Sequence, residues 1–118
     1  MIAHARDALP AECCGLLLGS PGRIDAVYRA RNLEASATRF FIDPTDHFAA
    51  IRAARQSERA VVGVYHSHPS TPAQPSPSDL QEATYTEYVY AIVSLAGAAP
   101  EVRLFRLDMG RFVVEPME

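Results

Sequence analysis

The chain has 118 residues, of which 48% are apolar and 21% are charged, and this composition suits one compact domain with a single core. Its formal net charge is −3, and its basic residues are scattered arginines, so the positive patch of a nucleic-acid-binding protein is absent. No apolar stretch approaches the roughly 18–20 residues that span a bilayer, and the start lacks the basic-then-apolar order of a secretory signal. We therefore expect a cytoplasmic protein without a nucleic-acid or membrane partner.

The first part of the chain predicts a short helix followed by a hairpin. Residues 1–9 form the helix, which Pro10 ends. A buried strand over residues 12–19 and an alternating strand over residues 24–31 are separated by the turn sequence Ser-Pro-Gly. Residues 39–42, with the sequence RFFI, predict one more strand.

A longer helix is predicted from Asp43 to about Ser57. Asp is a favourable N-cap, and Pro44 suits the first helical position. Phe48, Ile51 and several alanines would then face the core.

The second half predicts a central strand, a stiff loop, a helix and three further strands. The strand covers residues 60–66, and four of the nine prolines follow within residues 69–77. Proline cannot continue a strand, so this segment predicts an extended loop, and Ser76 then caps a helix. Residues 88–115 predict an antiparallel meander. The element order predicts a single α/β domain over residues 1–118, with a mixed central sheet flanked by helices.

The two cysteines, Cys13 and Cys14, are adjacent in the buried strand. Neighbouring side chains of a strand point to opposite faces, so a disulfide between them would be strained. We expect reduced, structural thiols, as in a reducing compartment. The alternative is a thiol nucleophile with His66 or His68 as its base.

Two histidines end the central strand, at His66 and His68. Residues two apart on a strand project from the same face, so the imidazoles can converge on one point. A stiff loop that enters a helix can return the carboxylate of Asp79 to them. Two nitrogens and one oxygen, with a fourth position left for water, form a ligand set of catalytic zinc.

Hydrolysis at a zinc site also needs a group that moves the proton of water to the leaving amine. Glu12 is the candidate, because a carboxylate that leads into a buried strand is otherwise unusual. Spacing does not select Glu12 over Glu34 or Glu58.

These residues resemble a known family. His66-Ser67-His68-Pro69, six residues, Ser76, two residues and Asp79 match the H-x-H-P-x6-S-x2-D motif of the JAMM (MPN-plus) zinc metallopeptidases. The segment Pro10-Ala11-Glu12, followed by Gly15, Leu17 and Gly19, is similar to the upstream glutamate strand of that family. The resemblance covers nearly the whole chain and implies the JAMM/MPN fold, which is cytidine-deaminase-like.

The resemblance also implies the roles of individual residues. His66, His68 and Asp79 would bind one zinc ion per chain, Glu12 would be the general base, and Ser76 would help to stabilise the oxyanion. The alternatives are purely structural roles: Ser76 as a helix N-cap, and Asp79 as an acidic residue in the first turn that suits the helix dipole.

Members of the family include deubiquitinases, which cut isopeptide bonds, and small prokaryotic enzymes that act on the tails of ubiquitin-like sulfur-carrier proteins. This chain resembles the latter, because 118 residues leave little room for insertions. The resemblance implies hydrolysis at a Gly-Gly tail, which we expect to lie extended along a sheet edge and to enter a narrow channel. A homodimer is compatible with the sequence.

Two other functions fit parts of the sequence. A noncatalytic MPN-type scaffold would keep the fold and bind proteins through its edge strands, although the ligand positions are intact. A zinc deaminase also needs zinc and a glutamate, but the H-x-E and P-C-x-x-C motifs are absent.

Further histidines and tyrosines are expected to have structural roles. His4 and His47 are expected at the surface. The stripe Tyr85, Tyr88 and Tyr90 is expected in core and edge packing, with one tyrosine at the substrate groove.

Overall fold

Apart from residues 39–42, the chain folds into helices and strands in the predicted order. This computed structural model describes residues 1–83 and 85–115. The elements within these residues are α1 (Ile2–Ala8), β1 (Cys14–Ser20), β2 (Arg23–Ala30), α2 (Pro44–Gln56), β3 (Ala60–His68), α3 (Pro77–Glu82), β4 (Val89–Ser94), β5 (Glu101–Asp108) and β6 (Arg111–Glu115). Among these residues, no helix is long and apolar enough to cross a membrane.

The strands form one sheet in the order β2-β1-β3-β4-β5-β6. Strands β3 and β4 are parallel, and the other neighbouring pairs are antiparallel. A parallel pair needs a crossover connection, which the segment containing α3 provides. The predicted hairpin, the mixed sheet and the antiparallel meander are therefore confirmed, and the chain is a single α/β domain.

The sheet has a hydrophobic core on each of its two faces. Helix α2 packs Ala50 and Ala54 on one face, together with strand residues such as Leu16. Helix α1 packs Ala5 on the other face, together with strand residues such as Leu17. Because successive strand residues alternate, strands β1, β3, β4 and β5 contribute to both cores. We call these surfaces the α2 face and the α1 face.

Gly15 in β1 makes room for a large side chain of the neighbouring strand. Tyr65 of β3 is fully buried on the α1 face. Its ring lies where a Cβ atom at Gly15 would stand. Any larger residue at this position would displace the tyrosine or separate β1 from β3.

The segment before α2 differs from its prediction. Residues 39–42 do not form a strand, and Ile42 makes only an isolated bridge to Asn32. The side chain of Asn32 bonds the Arg39 carbonyl and the Phe41 amide, so it takes backbone groups that a strand ladder would use.

Helix α2 begins as predicted, but its buried face is different. The Asp43 side chain accepts a hydrogen bond from the Thr45 amide at 2.9 Å, which confirms the N-cap. Phe48 is 72% exposed, so its predicted place in the core is wrong. Ala50 and Ala54, four residues apart, form the buried stripe instead and let the helix approach the sheet closely.

Two further expectations are corrected. Strand β3 continues to His68, two residues beyond the predicted end, and the proline-rich loop starts only after it.

His4 and His47 are half-buried, so the expectation that they lie at the surface is corrected. Each bonds a tyrosine hydroxyl, His4 Nδ1 to Tyr65 at 2.8 Å and His47 Nε2 to Tyr88 at 3.1 Å.

Candidate metal centre

Strands β1 and β3 bring three of the candidate residues to the same edge of the α2 face. In their antiparallel register, Cys14 lies opposite His66. Continuing this register by two residues places Glu12 beside His68. Directly opposite residues share a face of the sheet, so Glu12, His66 and His68 all point to the α2 side.

The start of α3 adds the fourth candidate. The Ser76 hydroxyl accepts a hydrogen bond from the Asp79 amide at 3.1 Å, and Asp79 Oδ2 accepts one from the Ser76 amide at 2.8 Å. This reciprocal capping box fixes the Asp79 side chain. The same Oδ2 lies 3.2 Å from His66 Nε2 and 3.1 Å from His68 Nε2.

The separations of these three atoms fit a metal ion. The two Nε2 atoms are 3.2 Å apart, and the three side chains are buried. Ligand atoms about 2.0–2.1 Å from a tetrahedral zinc ion are about 3.3 Å from one another. The cluster of His66, His68 and Asp79 can therefore hold a metal without large rearrangement.

Both imidazoles are held by contacts outside the cluster. His68 Nδ1 lies 2.8 Å from the Pro72 carbonyl, which can only accept a hydrogen bond. Nδ1 therefore donates, and this tautomer leaves the lone pair of Nε2 for a metal. The ring of Phe40 stacks on the ring of His66, with centroids 4.2 Å apart.

The proline-rich loop, which carries the Pro72 carbonyl that contacts His68, is itself held in place by hydrogen bonding and burial. The Ser94 hydroxyl, at the end of β4, donates to the Thr71 carbonyl at 2.6 Å. Ala73 is buried in the core of the α2 face. The loop thus supports His68 from outside the cluster, in the way that hydrogen-bond acceptors commonly support metal-binding histidines.

Burial and hydrogen bonding shift the pKa values of the cluster. Burial lowers the pKa of His66, which favours the neutral form that metal binding requires. Burial opposes ionisation of Asp79, but its close contacts with the imidazoles of His66 and His68 hold its pKa well below the usual range. Burial likewise opposes a charge on His68, yet Asp79 and the Pro72 carbonyl raise its pKa overall.

Glu12 is a buried carboxyl with one unused oxygen. Its side chain is 4% exposed, and Oε1 has no hydrogen-bond partner in the described part of the chain. Burial raises the pKa of Glu12 to about 7, with His68 opposing this shift and Asp79 adding to it. Glu34 and Glu58 are exposed, so the geometry favours Glu12 among the candidate bases.

Asn32 is a residue of the site region that sequence reasoning missed. Its Nδ2 donates to the carbonyls of Glu12 and Arg39, each at 3.1 Å. Its Oδ1 accepts from the amides of Glu34 and Phe41, each at 3.0 Å. An asparagine directly after a strand is a turn signal, but its link to Glu12 exists only in the folded chain.

The cysteines do not form a reactive site. Both are free and buried, as expected. Burial raises the pKa of Cys13 and raises that of Cys14 to about 12. Only the thiolate is an effective nucleophile, so the alternative of a thiol nucleophile is not supported.

A cavity of about 300 Å³ adjoins the cluster, and His66 and Asp79 form part of its wall. Tyr85 and Tyr90 also line it. The Tyr90 hydroxyl accepts from the Tyr85 amide at 2.9 Å and donates to the Tyr85 carbonyl at 2.8 Å. The tyrosine stripe therefore contributes both to packing and to the wall of a cavity next to the site.

Comparison with known proteins finds relatives over nearly the whole chain. The family described as prokaryotic homologs of the JAB domain matches residues 1–108. The CysO-cysteine peptidase of Mycobacterium tuberculosis is 34% identical over 120 residues, covering 99% of this chain and 82% of that protein. The probable TtuB-protein conjugate cleaving protease of Thermus thermophilus is 33% identical over 112 residues, covering 94% and 72%.

Solved structures show the same fold. The solution structure of protein DSY2949 from Desulfitobacterium hafniense superposes with a TM-score of 0.89 at 38% identity, covering 98% of this chain and 82% of that one. AF2198, a JAB1/MPN domain protein from Archaeoglobus fulgidus, gives a TM-score of 0.59 at 23% identity, covering 95% and 84%. The predicted fold class is therefore confirmed.

Proposed function

The chain belongs to the prokaryotic JAB-domain family, and we propose that it is a zinc-dependent peptidase acting on the C-terminal tail of a ubiquitin-like sulfur-carrier protein. The bond cleaved is a peptide or isopeptide-type amide, and the whole of residues 1–118 serves as one catalytic domain. The observation that carries the proposal is the buried cluster of His66, His68 and Asp79 beside a buried Glu12. Relatives named as a peptidase and a conjugate-cleaving protease support hydrolysis.

The ligands are His66 Nε2, His68 Nε2 and Asp79 Oδ2. Two imidazole nitrogens and one carboxylate oxygen are a donor set that suits zinc. A zinc ion held there supplies a Lewis acid for the scissile carbonyl and lowers the pKa of water. The 3.1–3.2 Å spacing of the three atoms supports this assignment.

Glu12 is the general base and then the general acid. Its carboxylate takes a proton from the water that attacks the carbonyl carbon, and a new C–O bond forms. It then passes the proton to the nitrogen as the C–N bond breaks, so that a carboxylic acid, which ionises in water, and an amine leave. A carboxyl with a pKa of about 7 accepts and donates a proton readily near neutral pH.

Ser76 stabilises the negative charge that develops on the carbonyl oxygen. In the capping box, the Ser76 oxygen accepts from the Asp79 amide, and this contact uses only a lone pair. The hydroxyl hydrogen stays free to rotate between Ser78 Oγ, 3.0 Å away, and a substrate oxygen. The helix cap and the proposed oxyanion contact are therefore compatible.

The substrate tail is proposed to reach the centre as an extended chain held by main-chain hydrogen bonds. Glycine has no side chain, so a Gly-Gly end can pass close to protein backbone. Crosslinking of a carrier tail at positions remote from His66 would contradict this path.

The test begins with metal content, measured by mass spectrometry on protein purified without added zinc. We expect close to one zinc per chain, and loss of the metal in the variant His66→Ala/His68→Ala. The zinc-loaded protein should then cleave carrier proteins extended beyond Gly-Gly. Wild-type protein that stays metal-free when zinc is offered would overturn the proposal and favour the noncatalytic scaffold.

A further inference from the structure

The cavity beside the cluster has properties of a specificity pocket. Its volume is about 300 Å³, at the lower end of the range of about 300–1,000 Å³ that is usual for ligand sites. That space suits one large side chain. Two of its wall residues, His66 and Asp79, belong to the metal cluster, so a group inside it lies next to the scissile bond.

The walls favour an uncharged, apolar occupant. Aromatic and aliphatic side chains dominate the lining, including Phe40, Ile42 and Phe112. The carboxylate of Asp79 is already engaged by the two imidazoles and the Ser76 amide. Burial lowers the pKa of His47, the other imidazole of the wall, and so favours its neutral form. A charged side chain would therefore lose its hydration without gaining a partner.

The mouth of the cavity also exposes large apolar groups. Phe41 is 47% exposed and Tyr85 is 46% exposed, and both line the cavity. Apolar surface gathered around an opening is typical of a binding site. A substrate side chain that entered between Phe41 and Tyr85 would cover part of this surface.

We propose that the cavity binds the side chain of the residue on the amine side of the scissile amide, and that it selects a large apolar one. This inference rests on the proposed function. A Gly-Gly tail has no side chain on the acyl side until the third residue, about 7 Å along an extended chain. Because the cavity starts at His66 and Asp79, the nearest side chain that can fill it is on the amine side.

The test uses peptides that share one carrier tail and differ in one residue X after Gly-Gly. We expect kcat/KM of the zinc-loaded protein to be about tenfold or more higher for X = Phe, Leu or Met than for X = Ala, Lys or Asp. A second series varies the residue just before Gly-Gly and should change kcat/KM much less. The inactive Glu12→Gln protein should bind the Phe peptide more tightly than the Ala peptide, as measured by calorimetry.

Two variants test whether the cavity itself causes the preference. Ala83 is half-buried in the cavity wall, and Ala83→Leu should bring the Phe-to-Ala ratio of kcat/KM close to one. Ala49→Leu, at a half-buried position of α2 outside the lining, is the matched control and should keep the wild-type ratio. If Ala83→Leu does not fold, Phe41→Ala makes the same test at an exposed position of the mouth.

The outcomes separate this inference from the proposed function. Equal cleavage of all X peptides, or a preference that follows the residue before Gly-Gly, would overturn the pocket and leave the peptidase intact. Zinc-loaded protein that cleaves no member of either series would instead overturn the proposed function. A wild-type ratio in the Ala83→Leu and Phe41→Ala proteins would place the preference elsewhere.

Discussion

Consecutive residues of β3 supply two kinds of polar site on the two faces of the sheet. On the α1 face, the Tyr65 hydroxyl bonds His4 at 2.8 Å, and the Ser67 hydroxyl accepts from the Cys13 amide at 2.8 Å. On the α2 face, His66 and His68 point their Nε2 atoms at each other and at Asp79.

The difference lies in how fully the chain satisfies its own polar atoms. The pairs on the α1 face are complete and stabilise the fold. The α2 face gathers three metal-binding atoms and leaves Glu12 Oε1 without a partner among the described residues. A buried polar atom without a partner destabilises a protein, so this oxygen beside three atoms that suit a metal makes the α2 face the candidate for the functional one.

The largest expected effect concerns the proposed proton carrier. Glu12→Gln keeps the size of the side chain but removes its ability to take up a proton. We expect kcat of the zinc-loaded protein to fall by roughly 100-fold to 10,000-fold, with the zinc content unchanged. Glu34→Gln, at an exposed position, is the matched control and should keep wild-type kcat. Activity within a few-fold of wild type in Glu12→Gln would remove Glu12 from the mechanism.

Zinc that binds His66, His68 and Asp79 should stabilise the folded protein. A ligand present at 100 times its dissociation constant stabilises the folded state by about 2.7 kcal/mol. For a domain of this size, that corresponds to a rise in Tm of about 10 °C. Calorimetry should show this rise in wild type and none in His66→Ala/His68→Ala. Equal responses in the two proteins would mean that zinc binds elsewhere.

Asn32 links the segment just before β1, which carries Glu12, to the loop that carries Phe40. Removal of its four hydrogen bonds in Asn32→Ala should destabilise the protein by about 2 kcal/mol. As a positioning residue, it should also lower kcat of the folded, zinc-loaded variant, with KM affected less. Asn32→Asp keeps only the two acceptor contacts, so a similar fall in kcat would assign the effect to the bonds donated to Glu12 and Arg39. A variant with reduced stability but wild-type kcat would make Asn32 purely structural.

Much of the fold could be predicted because its signals are local. The Asp43 cap, the Ser76 cap and the alternation in the strands depend on residues close in sequence, and all three appear in the structure. The positions of His66, His68 and Asp79 were also predictable, because a strand end and a helix start each fix their side-chain directions.

The rest depends on contacts between distant parts of the chain. Phe48 belongs to the apolar pattern of α2, yet alanines pack more closely on the sheet and leave it outside. The family resemblance selected Glu12, but its place beside His68 follows only from the register of β1 against β3. The role of Asn32 required the path of the loop after β2. No periodic pattern of residues in the sequence predicts these contacts.

On the α1 face, the expected effect is on stability alone. Ser67→Ala leaves the buried Cys13 amide without its 2.8 Å partner, which should cost about 1–2 kcal/mol of unfolding free energy. Urea unfolding measures this change, and Ser70→Ala, at an exposed position, is the control. The zinc content and kcat of Ser67→Ala should match wild type. A specific loss of zinc would show that the two faces are not independent.

The smallest expected effect is a pH dependence of stability in the metal-free protein. Burial raises the pKa of Glu12 from 4.5 to about 7, so between these values the folded state binds more protons than the unfolded state. The unfolding free energy contributed by this group therefore falls as pH rises from 4.5 to 7 and is constant above that range.

Glu12→Gln removes this titration and leaves the other ionisable groups in place. The variant should gain stability relative to wild type as pH rises through this range, by on the order of 1 kcal/mol, because water reaching the site screens part of the burial effect. Urea unfolding in a chelator at several pH values measures the difference. If the difference in unfolding free energy between the two proteins does not change with pH, the pKa of Glu12 is not raised by burial. The α2 face would then lack the destabilised carboxyl that distinguishes it from the α1 face.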